Sequence, residues 1–165
     1  MLLTIFLAII ICAAVTLMLI AGVAFVQNVR MFSSAPKEAR EVLQPRNEEL
    51  FYGARTIGWV MMIISALVIL GAVVTAIWDG IRSGYSFAQF FVRFLSIFTA
   101  FKVYDMVFID GFLLCKSHFF QYYYPEVEPV FNGRKYGFNI KSQLLRLLVI
   151  YPAVSALIAW ACTQF

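Results

Sequence analysis

Apolar residues gather into four long stretches, and polar residues gather into two connections between them. Residues 2–26, LLTIFLAIIICAAVTLMLIAGVAFV, run for 25 positions without a charge. A helix crosses a bilayer in roughly 20 apolar residues, so this stretch predicts a first span. A cleaved leader would carry a basic flank before a shorter apolar core. Nothing basic precedes Arg30, so an uncleaved helix is expected. Residues 56–78 predict the second span. Trp59 and Trp78 lie at its two ends, roughly 28 Å apart on a helix and so one at each interface, where Trp is favoured. DGIRSGY, residues 79–85, predicts a tight turn.

The third apolar stretch, 86–115, reaches roughly 45 Å as a helix, more than a hydrocarbon core of roughly 30 Å. It must tilt, or its ends must enter the headgroups. Residues 143–163 predict the fourth span, with Pro152 as a kink that a bundle tolerates and Trp160 as an interfacial anchor. The expected fold is all-α: four transmembrane helices in one bundle, a single membrane domain over residues 1–165.

The connections, 27–55 and 116–142, read as solvated or interfacial. In the first, Ser34 is placed to cap a short helix with Pro36 in its first turn. In the second, Pro125, Pro129 and Asn132-Gly133 exclude a continuous helix. Its aromatic run FFQYYYPEVEPVF predicts interfacial anchors at Tyr122, Tyr123 and Tyr124, with Glu126 and Glu128 keeping the loop tip wet.

Composition agrees with lipid burial. The chain is 62% hydrophobic and 13% charged, against roughly 45–50% and roughly 25% in a soluble domain. A chain of 165 residues cannot hide that much apolar surface in one water-exposed globule. The net charge of +4 is a topology signal. It does not point to nucleic acid, because the basic residues are dispersed between oily segments. The first connection with its flanks holds Arg30, Lys37, Arg40, Arg46 and Arg55, and the second Lys116, Arg134, Lys135, Lys141 and Arg146. Only Arg82 lies between spans two and three. The positive-inside rule then predicts cytoplasmic connections and both termini outside.

The third span carries the chemistry. Arg93 near its outer end is expected to snorkel outward. Lys102 and Asp105 sit near mid-depth as an i,i+3 pair, 60° apart on an α-helical wheel. Asp110 lies about 7.5 Å further along and turned well away from Asp105, so the two carboxylates form no dyad. A lone charge in mid-membrane costs about 2.5–3.5 kcal/mol on insertion scales. Pairing therefore predicts that Lys102 and Asp105 face the bundle, and that Asp110 reaches Arg146 or Arg55. The competing use of Asp105 and Asp110 is as steps in a proton or ion relay. A further alternative is an interfacial transferase built on Cys115 and His118, if a helix brings them onto one face. The other cysteines, Cys12 and Cys162, stand apart, and no C-x-x-C pair occurs. No metal site or cofactor is expected.

D-M-V-F-I-D at 105–110, followed by Y-G-F-N-I-K at 136–141 before the last apolar helix, resembles a group of small uncharacterised bacterial integral membrane proteins. The resemblance covers residue 101 onward, with Gly111 standing where a bulky aromatic is expected. It implies a bacterial inner membrane and no particular chemistry. Small-xxx-small pairs, Ser155/Ala159 and Ala72/Ala76, add an expectation of helix–helix association. The leading functional expectation is a non-catalytic inner-membrane subunit or scaffold. Its partners would be lipid and either a second copy or another membrane protein.

Overall fold

The computed structural model describes residues 1–29, 37–131 and 140–164. The expected cap at Ser34 and Pro36, the Asn132-Gly133 break and nearly all of the Y-G-F-N-I-K motif lie outside these residues. The described chain is all-α. α1 spans Leu2–Ile20 and widens into a π-helical turn over Ala21–Val26. Gln27 ends it in the left-handed region, at φ 51°, donating its N–H to the Gly22 carbonyl. α2 is Lys37–Val42 and α3 is Ala54–Arg82. α4 is Phe87–Tyr104 and continues as a π-helix through Asp105–Leu114. α5, Phe119–Tyr123, and α6, Glu128–Phe131, flank a 3₁₀ turn at Pro125–Val127. α7, Ile140–Leu145, joins α8, Tyr151–Cys162, through a wide π turn at Arg146–Ile150.

Among the described residues three helices are long and apolar enough to cross a membrane: Leu2–Val26, Ala54–Arg82 and Ser142–Cys162. α4 and its extension, which carry Arg93, Lys102, Asp105 and Asp110, are not among the three.

The turn expected at 79–85 begins later than the sequence pattern implies. α3 keeps Asp79–Arg82, and the stop is made by Gly84 at φ +64°. Gly84 N–H donates to the Ile81 carbonyl and Tyr85 N–H to the Gly80 carbonyl, the paired bonds that close a helix on a left-handed glycine. α4 then opens on a capping box, with Ser86 N–H donating to Gln89 Oε1 at 2.8 Å. Pro152 sits in the first turn of α8, directly after the π turn. A proline removes one donor and crowds the carbonyl four residues back. The wider turn relieves that crowding.

By its contacts the chain falls into two compact units. The first comprises Met1–Ala14, Leu67–Met106 and Asn139–Phe165. The second comprises Val15–Ala66 and Val107–Phe138. In the first, α8 packs along α4, with Phe98 and Tyr151 ring centroids 5.6 Å apart. Ser155 and Ala159 are fully buried there, and Ala72 and Ala76 are buried too. Both small-residue faces expected to mediate association are therefore interior surfaces of the chain itself. α3 and α4 come close at Gly80, where a Cβ would lie 2.3 Å from Phe90 Cε1. Only a residue without a side chain admits that ring.

The second unit has its own core: Val23, Ala39, Leu43, Phe120, Tyr124, Val127 and Phe131. These residues come from the end of α1 and from both polar connections. The connections are thus packed against each other rather than separately solvated.

Candidate functional site

In the first unit the charged groups of α4 lie where the helix meets its neighbours. α3 and α4 are joined by a four-residue turn, so Arg93, one turn beyond Phe90, comes opposite Ala76, one turn before Gly80. Arg93 Nη1 donates to the Ala76 carbonyl at 2.8 Å, and Nη2 lies 2.7 Å from Asp79 Oδ2. Nη2 also donates to Tyr85 Oη at 2.6 Å, and the guanidinium stacks 4.3 Å from that ring. The side chain is 3% exposed. Arg93 therefore does not snorkel outward. A cation near the carbonyl end of a helix is favoured by the helix dipole, and Asp79 supplies the opposite charge. The sequence reading missed this site. Its signal was an Asp about one helical turn before the tight turn and an Arg about two turns after it, on the two helices that the turn joins.

Further along α4, Lys102 Nζ lies 2.5 Å from Asp105 Oδ2, with the side chains 5% and 23% exposed. Asp105 opens the π-helical stretch, and Asp110 lies half-buried within it. Arg55 donates to the carbonyls of Arg46, at 2.6 Å, and Asn47, at 3.1 Å. Arg146 is exposed at the start of the wide turn before α8.

Cys115 and His118 do not share a helical face. The helix ends at Leu114, residues 115–117 form a turn, and His118 adopts φ 53° as the cap of α5. Side chains satisfy the exposed carbonyls at this exit. Ser117 Oγ donates to Leu113 at 2.6 Å, and Gln121 Nε2 donates to Leu114 at 3.1 Å. Among the described residues no three His, Cys, Asp or Glu side chains gather as metal ligands.

In the second unit a polar clasp closes over the aromatic core. Arg46 Nη2 lies 2.6 Å from Glu126 Oε2 and donates to the Tyr123 carbonyl at 3.3 Å. Its guanidinium rests 5.5 Å from the centroid of the Tyr124 ring. Gln44 N–H donates to the other Glu126 oxygen at 3.2 Å. Glu126 is thus a clasp residue rather than a wet loop tip. The anchors expected at the interface separate by burial. Trp59, Trp78 and Trp160 are exposed, with Arg82 stacked 5.3 Å from the Trp78 ring. Tyr122 is exposed, Tyr123 half-buried and Tyr124 fully buried. Tyr124 stacks on Phe120 with centroids 5.3 Å apart and so belongs to the core.

Burial pushes the Tyr124 phenol up to about 12; nearby Arg46 pulls it down and Glu126 pushes it up. A raised folded-state value means that the unfolded chain loses its proton first, from its ordinary value of 10.0. Stability from this group is complete below that value and declines as pH rises through about 12. Tyr124→Phe is expected to abolish that alkaline loss. Unfolding followed from neutral pH into this window, parent beside variant, checks it. An identical alkaline loss in both would place the titrating group elsewhere.

No protein-family model matches the chain, and neither a curated protein nor a solved structure matches it.

Proposed function

We propose that the chain is a four-span protein of the bacterial inner membrane that serves as a non-catalytic subunit or scaffold, assembling with itself or with another membrane protein. The carrying observation is that the two buried cations of α4 have partners inside the protein: Arg93 with Asp79, and Lys102 with Asp105. Paired charges of this kind allow a helix to lie in hydrocarbon with its polar face turned inward. This supports α4 and its extension as the fourth membrane element, alongside the three apolar helices. A relay through Asp105 is disfavoured by its tight bond to Lys102. A transferase on Cys115 and His118 is disfavoured by the turn that separates them.

The orientation proposed is the one given by the basic residues, with both connections cytoplasmic. Association would use the outward apolar faces, such as that of α3 with Ile63, Leu67, Leu70 and Val74, since the small-residue faces are occupied internally. The test combines two readings of one preparation. In sealed inside-in vesicles, a single thiol at Glu48→Cys, with Cys12, Cys115 and Cys162 replaced by Ala, is expected to resist an impermeant reagent until the vesicles are opened. Gently solubilised protein is expected to run as an oligomer or with a stoichiometric membrane partner. Labelling from outside overturns the orientation, and a bare monomer under all mild detergents overturns the scaffold.

A further inference from the structure

We infer that α1 and α4 hold one phospholipid molecule, one of its acyl chains in a groove between them and its phosphate at the Tyr85–Gln89 end. The groove has a volume of about 520 Å³ and is lined by small and apolar side chains, among them Ala8, Cys12 and Ala13 of α1 and Ala100 of α4. A second cavity of about 350 Å³ lies next to it, with Thr4 lining both. The second cavity is lined by Tyr85, Ala88, Gln89 and Arg93. Both spaces are mainly apolar, with Ser96 and Tyr104 on the groove, and the second adds Tyr85, Gln89 and Arg93 at the start of a long helix. An apolar space with added polar groups at one end matches an amphiphile.

The polar end is chemically biased toward acceptors. An arginine only donates. Because Arg93 Nη2 donates to Tyr85 Oη at 2.6 Å, the phenol must be the acceptor there, and its own proton is left to donate. Gln89 Oε1 accepts from Ser86 N–H, which leaves its amide N–H groups to donate. The start of α4 adds backbone donors and the positive end of its dipole. Arg93, with 3% of its side chain exposed, also keeps a buried Nε without a hydrogen-bond partner among the described residues. Asp79 already balances the guanidinium charge, so recognition falls to oriented donors rather than to a spare cation. A phosphodiester supplies the unpaired acceptors that such a set requires.

This inference rests on the chain lying in a bilayer and not on the assembly it forms there. The experiment is native mass spectrometry of the full chain released from mild detergent. The probes are dioleoyl phosphatidylglycerol, dioleoylglycerol, which lacks the phosphate, and inorganic phosphate, which lacks the chains. One phosphatidylglycerol per chain is expected to survive release, dioleoylglycerol to bind about tenfold more weakly, and phosphate not to bind. Ala100→Phe fills the groove from an exposed helix position and is expected to weaken phosphatidylglycerol retention about tenfold. Gln89→Glu keeps the cap acceptor but sets a carboxylate at the polar end. It is expected to weaken phosphatidylglycerol alone, leaving dioleoylglycerol unchanged. Each variant is first matched to the parent in melting temperature, and Tyr85→Phe replaces Gln89→Glu if the latter fails to fold. Equal retention of both lipids, binding of phosphate alone, or retention unaffected by every variant overturns the site. Subunit count is read from the same spectra, so a lipid-bearing monomer sinks the scaffold reading alone, and a lipid-free oligomer sinks only this one.

Discussion

Asp79→Ala is expected to destabilise the protein by about 3–5 kcal/mol, the range for breaking a buried ion pair from one side. The reason lies in what remains. The Arg93 side chain is 3% exposed while Asp79 is 33% exposed. Removing the aspartate leaves a guanidinium sealed from water, and a guanidinium does not shed its proton in a protein. The Ala76 carbonyl and Tyr85 hydroxyl still accept from it, but neither carries a countercharge. Removing the arginine instead leaves a carboxylate that water reaches. Arg93→Met is therefore expected to be milder, near 1–3 kcal/mol for lost hydrogen bonds and packing. The double variant, with no stranded charge, is expected to be more stable than Asp79→Ala alone. For a chain of this size about 1 kcal/mol moves the melting temperature by roughly 2–4 °C, so thermal unfolding in one detergent resolves the order. If Arg93→Met proves the more damaging single change, the stranded-cation account is wrong.

Lys102 and Asp105 invite the same comparison within one helix. Lys102 is again the more buried member, at 5% against 23% exposure. Asp105→Ala is expected to lower folded yield and melting temperature more than Lys102→Met, and Lys102→Met/Asp105→Leu to recover much of the loss. A single removal here is expected to cost about 3 kcal/mol, at the lower end of the buried-pair range. Comparable losses in all three variants would mean that the pair contributes through shape and not through charge. The two pairs are far enough apart along α4 for their effects to add. A combined variant such as Asp79→Ala/Asp105→Ala is then the most damaging of the set.

These pairs also separate what could be read from the chain from what could not. Lys102 and Asp105 are three residues apart, and one turn of helix suffices to bring them together. Asp79 and Arg93 needed the turn at Gly84 and the close contact of Phe90 with Gly80, which only the folded chain supplies. The angular position of Asp110 does not follow from 100° per residue, because the π-helical hydrogen bonding from Asp105 onward changes that angle. Cys115 and His118 share a face only on a helix that continues past Leu114, and the chain turns there instead.

The sequence by itself determined that the chain is helical and that long apolar helices dominate it. Unbroken apolar runs at bilayer length admit no other economical backbone, and local signals such as Gly84, Ser86 and Gln89 set where helices stop and start. The tertiary structure alone decided that the two polar connections make one core. Arg46 and Glu126 are 80 residues apart, and Tyr124 becomes interior only because residues from both connections close around it. It alone decided, too, that Ser155, Ala159, Ala72 and Ala76 face inward. A small residue permits close helix approach equally well within one chain or between two, and the choice rests on which neighbour arrives. Periodicity is a property of each segment, whereas burial and pairing belong to the distances between segments.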